Sequence, residues 1–328
     1  MGRNNPGRSR PVPAVLSRGF CRWAARAAMG LGMAAAFALA ACSDDATPAP
    51  PPLKVVLIPA DGGTESGTRA DFQPIFDAIS RESGLRFDLT VAQSYGAVVE
   101  ALCSGNADIA FVGAVTFVQA EQRGCADFLA VAVKDGQSGY YAGLFTLADS
   151  PVHTIADLRG RRAAFGDVNS TSSFLVPVSM MLRAGINPAR DLSRVAMMGS
   201  HANSMAALVA GQVDVAALSF ESFDKAVANG AVRADQVRVL ARSDAIPYPP
   251  IVVRRGVDEA LKQRLRRAFD GVAMAPGVDP AMIRGYGGER VDSYRSDFDS
   301  KAYDRAIAAT DIVTDPIRSE ILAAAARR

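Results

Sequence analysis

The stretch Phe165-Gly166-Asp167-Val168-Asn169-Ser170-Thr171-Ser172-Ser173 sets four hydroxyl side chains in a row, ahead of the apolar Phe174-Leu175-Val176. A strand-like run leading into hydroxyls and then a helix has a defined chemical use. The first turn of a helix carries N–H groups without internal partners and the positive end of the helix dipole, so it binds anions without a formal charge. Ser170, Thr171 and Ser172 can surround one face of an oxyanion with O–H and N–H donors, although a serine-rich N-cap alone would use the same residues. Gly113-Ala114-Val115-Thr116 is a similar strand-to-helix turn, with Thr116 either an N-cap or a ligand contact. Gly199-Ser200-His201-Ala202-Asn203-Ser204 is a third. His201 there can donate to an oxyanion, and a dianion would favour its charged form. The other histidine, His153, lies in a Ser-Pro loop and reads as structural.

These turns must be carried by alternating strands and helices. Leu53 to Pro59 is a short apolar run that reads as a buried strand. Phe72, Ile75, Phe76 and Ile79 then recur at helical spacing up to Gly84. Strand patterns at 87–91, 108–113 and 128–133 alternate with helical patterns at 98–102 and 116–123. A second series has strands at 162–166, 192–197 and 213–218 and helices at 173–184 and 203–210. Repeated βα units predict mostly parallel sheets with helices on both faces. About 275 residues are enough for two lobes of ordinary size.

The first 52 residues lie outside that pattern. Residues 1–26 carry six arginines and no acidic residue, and the apolar run at 27–41 is shorter than the roughly twenty residues a membrane span needs. This is the layout of a secretory signal, residues 1–41. Its exit, Leu39-Ala40-Ala41-Cys42, resembles the bacterial lipoprotein cleavage box, which implies lipid on Cys42 and a membrane anchor; an ordinary signal cut is the alternative. Residues 42–52, acidic and then proline-rich, read as an extended tether. Removing the six arginines leaves 30 basic against 34 acidic residues, so the body is no polycationic nucleic-acid binder. Cys103 and Cys125 both precede strands and suit one disulfide in an oxidising compartment, with two buried thiols as the alternative.

Several of these segments occur in a specific order: Ser94-Tyr95-Gly96-Ala97-Val98-Val99-Glu100, the 108–113 strand, Asp167-x-Asn169-Ser170-Thr171-Ser172, Gly199-Ser200-His201, Gly211-Gln212-Val213-Asp214-Val215-Ala216 and Ile246-Pro247-x-x-Pro250. Over residues 53–275 the chain resembles the phosphate/phosphite/phosphonate-binding proteins of ABC importers. The resemblance implies a two-lobed α/β fold, the type II periplasmic binding protein fold. Residues 53–147 with 251–328 would form one lobe and 148–250 the other, joined by crossing strands at 144–147 and 251–253. It implies a monomeric receptor that serves permease subunits, without a cofactor or metal, and that Tyr95, Ser170, Thr171, Ser172 and His201 contact phosphoryl oxygens. Glu221 matches one of two acidic residues that hold a ligand amine in the aminoalkylphosphonate binders, and a helix-start carboxylate is its other reading. The second acidic position is Pro249 here, and Val112 replaces a family tyrosine, which favours phosphite, phosphate or methylphosphonate over an aminophosphonate. A subunit that senses the anion for a membrane receptor has the same signature. A phosphoester hydrolase fits less well, since the chain has no G-x-S-x-G elbow and only two histidines.

Overall fold

The computed structural model describes residues 50–59 and 65–327. The signal segment, Cys42 and most of the tether therefore lie outside the described residues.

The chain builds two sheets in turn. In the first lobe, β1 (Leu53–Leu57), α1 (Glu65–Ser83), β2 (Phe87–Val91), α2 (Tyr95–Ser104), β3 (Ile109–Phe111), α3 (Ala114–Gln122) and β4 (Ala126–Val133) follow one another. Helices α2 and α3 start where a turn residue, Ser94 or Gly113, follows the strand. Ser94 caps α2 by accepting the Ala97 N–H, and Gly105 closes the helix in the left-handed region. A disulfide joins Cys103 at the end of α2 to Cys125 before β4, with the Cα atoms 4.7 Å apart. Phe72, Ile75, Phe76 and Ile79 are buried along one face of α1.

A short ribbon then leads out of this lobe, formed by β5 (Gly139–Tyr140) with the later β11. The second lobe holds β6 (Ala142–Leu147), β7 (Arg162–Phe165), α4 (Val176–Arg183), α5 (Pro188–Asp191), β8 (Arg194–Met197), α6 (His201–Val209), β9 (Val215–Ser219), α7 (Phe220–Ala228) and β10 (Val237–Arg242). The chain returns through β11 (Ile246–Pro247) into β12 (Pro250–Arg254), α8 (Glu259–Gly271) and β13 (Ser293–Arg295), and ends with α9 (Lys301–Ala308) and α10 (Asp315–Ala326).

The sheet orders are β13-β4-β12-β3-β1-β2 and β10-β6-β9-β7-β8. Both are mixed, where the sequence pattern predicts mostly parallel pairing. β1 runs parallel to β2 and β3, and β7 parallel to β8 and β9. The strand arriving from the other lobe runs antiparallel in each: β12 against β3 and β4, β6 against β9 and β10. The reason is directional. Parallel strands end at the cleft and feed their helices there, whereas an arriving strand starts at the cleft and runs away from it.

Two further differences from the sequence reading concern the lobe boundaries. Residues 142–147 are a central strand of the second sheet, so the crossing falls earlier, where Tyr140 pairs with Ile246 and Gly139 with Pro247. The C-terminal segment, expected on the first lobe throughout, divides: α9 packs on α3, while α10 packs on α5 and β8. Val313 and Ile321 supply the apolar face that the second lobe covers, and Arg190 pairs with Glu320 beside them. Alternate residues of the second sheet enter cores on opposite faces, Phe165 and Val215 on one side, Ala164 and Ala216 on the other.

Candidate functional site

The carboxyl ends of the parallel strands in both sheets face the region where the lobes meet, the place where open α/β sheets hold ligands. The helices that follow point their amino ends into it, and serine caps four of them. Ser94, Ser170, Ser200 and Ser219 each accept a backbone N–H three residues on.

The hydroxyl turn does not begin an ordinary α-helix. Residues Thr171–Leu175 form a π turn, with the Leu175 N–H bonded to the Ser170 carbonyl, before α4 takes over. A π turn leaves one more N–H without an internal acceptor than an α-helix does. Ser170 to Ser173 are all buried, at 2% exposure or less. Ser170 Oγ accepts the Ser173 N–H, and Thr171 Oγ1 accepts the Val115 N–H at 3.0 Å from the start of α3. Both hydroxyls thereby use lone pairs and keep their protons to donate. The Ser172 hydroxyl has no hydrogen-bond partner among the described residues.

The same turn clasps the first lobe. Asp167 Oδ2 accepts the Tyr95 N–H at 3.2 Å and its Oδ1 accepts the Asn169 N–H at 2.7 Å. Thr116 donates to the Asn169 carbonyl at 3.3 Å, and Gln119 Nε2 donates to Asn169 Oδ1 at 3.1 Å. The structure thus brings Tyr95, Thr116 and Ser170–Ser172 together. It gives Thr116 a clasp, because its proton is committed to lobe-to-lobe contact. The Tyr95 side chain is buried, with Cε1 4.0 Å from where a Cβ on Gly113 would stand and Thr171 Oγ1 3.3 Å from that point.

His201 sits next to this turn. A Cβ on Gly166 would stand 2.1 Å from Ser173 Oγ and 3.7 Å from the Ser200 carbonyl carbon, so the π turn crowds this glycine and the start of α6 lies in ordinary contact beside it. His201 is 1% exposed. Its Nδ1 accepts the Ser219 N–H at 3.1 Å and its Nε2 lies 3.1 Å from Tyr286 Oη. Burial pushes the imidazole down to about 3. A buried ring with no carboxylate hydrogen-bonded to it among the described residues stays neutral, whereas the expected imidazolium depends on a bound dianion.

Glu221 belongs to a different part of the region between the lobes. It lines a cavity of about 330 Å³ between the lobes together with Asp71, Asp224, Lys225, Arg284 and Glu289. Lys225 pairs with Asp71 across the lobes, and Lys134 with Glu289. Burial, and then Glu289, push the Asp224 carboxyl up. A separate cavity of about 310 Å³ opens between Pro59, Glu65, Thr68 and Gln93 on one lobe and Ser200 and Asn203 on the other. Val112 and Pro249 are buried. His153 is exposed and contacts Asp157 only through its backbone N–H.

Sequence reasoning missed Asp167, Asn169, Ser219, Ser222 and Tyr286 as members of this region. Asp167 and Asn169 lie inside the motif already singled out, and Ser219-x-x-Ser222 is a capping pattern after a strand. For Tyr286 the one local signal is its setting in Gly285-Tyr286-Gly287-Gly288, with Gly287 and Gly288 at φ +71° and +73°.

A hinged pair of α/β sheets with helix starts converging between them defines a two-lobed binding protein of the type II periplasmic class. Residues 63–293 match the family described as "ABC transporter, phosphonate, periplasmic substrate-binding protein", and the chain belongs to that family, whose members are binding proteins and not enzymes. The chain is 27% identical over 218 residues to the phosphonates-binding periplasmic protein of Escherichia coli, covering 65% of this chain and 64% of that protein. It is 28% identical over 232 residues to the phosphate-import protein PhnD of Mycolicibacterium smegmatis, covering 67% of this chain and 71% of that one. A crystal structure of a binding-protein component of an ABC phosphonate transporter from Pseudomonas aeruginosa superposes with a TM-score of 0.69 at 21% identity, over 84% of this chain and 94% of that one. That likeness establishes the fold.

Proposed function

We propose that this chain captures a small phosphorus oxyanion (phosphite, phosphate or a short phosphonate) outside the cytoplasm and delivers it to the permease subunits of an ABC importer. The observation that carries the proposal is the buried π turn. Ser170, Thr171 and Ser172 there hold hydroxyl protons ready to donate beside helix-start N–H groups, at the seam between two lobes. An anion gripped from both sides binds the closed arrangement better than an open one, and that difference drives closure.

Hydrogen bonds to a charged group contribute about 1.5–3 kcal/mol each. Five or six give on the order of 10 kcal/mol gross, and ordering and desolvation reduce that. The expected affinity is micromolar to sub-micromolar, about −8 to −10 kcal/mol. Pro249, at the position of the second acidic residue, argues for a ligand without an amine. The reading includes the lipid anchor: cleavage before Cys42, a thioether on its thiol, and residues 42–52 as the tether. The mass of the mature N terminus tests that part.

The ligand is tested by a thermal-shift and calorimetric panel of phosphate, phosphite, methylphosphonate, aminoethylphosphonate, sulfate and sulfonates. Ser172→Ala is expected to weaken the phosphorus anion that binds by about tenfold or more, with the melting temperature of the unliganded protein nearly unchanged. Binding of sulfonates alone, or unaltered affinity in the variant, would sink the assignment.

A further inference from the structure

A loop that offers N–H groups to an anion has to keep its carbonyl oxygens turned elsewhere, because a lone pair repels what an N–H attracts. In the turn ahead of α4, every carbonyl from Asp167 to Ser170 is held by a donor. The Asp167 carbonyl accepts the Ser170 N–H at 2.9 Å, and the Ser170 carbonyl accepts the Leu175 N–H at 3.0 Å. The Asn169 carbonyl accepts from Thr116 of the first lobe at 3.3 Å. The Val168 carbonyl accepts from Arg318 Nη2 at 3.2 Å, across 150 positions of sequence. Arg318 is the charged member of this set of donors.

Arg318 reaches the turn because α10 returns to the second lobe. Ile317 and Ile321 of α10 pack into the apolar core that Val168 also joins. The Arg318 side chain is 22% exposed, so its charge is only partly solvated. Its Nη1 lies 3.8 Å from Asp315, but that carboxylate is 96% exposed and water screens it.

The bond to Val168 continues through the turn. The same peptide presents its N–H, on Asn169, to Asp167 Oδ1 at 2.7 Å, and Asp167 Oδ2 accepts the Tyr95 N–H from the first lobe at 3.2 Å. Hydrogen bonds joined in a chain strengthen one another. This chain runs from a cation on the C-terminal helix to a carboxylate that reaches the other lobe. The carboxylate carries a penalty, since a fixed negative charge in the turn opposes an incoming oxyanion. A guanidinium bonded to the next peptide offsets that charge.

We infer that Arg318 is a positioning residue of the anion site: it holds the Val168 carbonyl toward α10, and its charge balances that of Asp167. The inference rests on the reading that the hydroxyl turn takes a phosphorus oxyanion. It adds to that reading a part for the C-terminal helix, while the donors that touch the anion remain those of the turn and the helix starts.

Calorimetry with phosphite and with methylphosphonate compares the wild-type protein with Arg318→Met, Arg318→Lys, Glu320→Gln and Ser172→Ala. Methionine keeps an unbranched stem but removes the donor and the charge, whereas lysine keeps both. Glu320→Gln breaks the ion pair between α10 and Arg190 and spares the bond to Val168, so it reports what looser docking of the helix does by itself. Arg318→Met is expected to weaken the anion that binds by about five- to tenfold, with Arg318→Lys within about threefold of wild type and Glu320→Gln unchanged. The loss in Arg318→Met should also shrink when Asp167→Asn is present, because the carboxylate that Arg318 balances is then gone. Wild-type affinity in Arg318→Met alongside a loss in Ser172→Ala overturns this inference alone. So does a loss in Glu320→Gln equal to that in Arg318→Met, or the same loss in Arg318→Met with and without Asp167→Asn. Binding of neither anion by the wild-type protein removes the underlying reading and this inference with it.

Discussion

The two corners of the cleft are closed by different means. At the hydroxyl turn, the lobes are joined mostly through backbone groups: Asp167 holds the Tyr95 N–H, Thr171 holds the Val115 N–H, and Thr116 donates to the Asn169 carbonyl. At the other corner a side-chain chain does the work, running from the Ser219 N–H through His201 to Tyr286. The first corner is built from a motif of seven consecutive residues meeting two helix starts. The second joins residues 85 positions apart. Backbone donors at helix ends are fixed by secondary structure alone, so a short motif can exploit them. A buried imidazole has to be matched by one particular partner brought in by the rest of the fold.

Gly166 tests the first corner, because Ser173 of the π turn presses directly on it. An added Cβ would stand 2.1 Å from Ser173 Oγ and 2.9 Å from Ser173 Cβ, and rotating the hydroxyl away does nothing for the second contact. Gly166→Ala is expected to lose about 3 kcal/mol in chemical denaturation, at the upper end for overpacking, and to abolish measurable anion binding. Adding Ser173→Gly removes both clashing atoms and should recover at least about 1 kcal/mol of that loss, seen as non-additivity in a double-mutant cycle. Additive losses would mean that Ser173 is not wedged against this glycine.

The imidazole corner differs from the backbone corner in its response to acid. His201 is held down to about 3 by burial, while an unfolded histidine titrates near 6.5. Between those values the unfolded chain binds the extra proton. The contribution of neutral His201 is therefore present above about pH 6.5 and lost as pH falls below it, by about 1.4 kcal/mol per unit. From pH 6.5 to 5 this predicts about 2 kcal/mol of lost stability in urea titrations of the wild-type protein, beyond the loss shown by His201→Gln. Equal acid slopes in the two proteins would show that water or a counter-charge reaches the ring.

The same contrast separates what the sequence discloses from what it hides. The βα alternation and the helix starts at Ser170 and Ser200 follow from local pattern and capping chemistry. The strand direction of β6 and β12 does not, because it depends on which lobe a strand enters from. Nor does the return of α10 to the second lobe: Val313 and Ile321 form an apolar stripe that would suit either body. Glu221 and Ser222 are neighbours in sequence, yet one lines the charged cavity and the other meets Tyr286, a split that only the helical rotation of α7 decides. Tyr286 itself has no periodic pattern around it. Its role depends on packing against Phe111, Tyr140 and Tyr248, which no short window contains.

The smallest expected effect isolates one bond of the backbone corner. Asp167 accepts two N–H groups, one from Asn169 in its own turn and one from Tyr95 across the cleft. Asn in its place keeps one acceptor oxygen, and the local bond at 2.7 Å is shorter than the 3.2 Å bond across the cleft, so the retained oxygen should stay with Asn169. The amide NH₂ then faces the Tyr95 N–H, donor against donor, and the start of α2 also loses a neighbouring negative charge. Asp167→Asn should lower stability by about 1 kcal/mol. Its more specific signature is in hydrogen exchange: the Tyr95 amide should exchange about fivefold faster or more while the Asn169 amide keeps its protection, a difference that follows from the same order of energy. Acceleration of both amides together would mean that the turn is held as one unit and that the cross-cleft bond has no separate existence. Protection of both would mean that Thr116, Gln119 and Thr171 hold the lobes at this corner without the Asp167 bond.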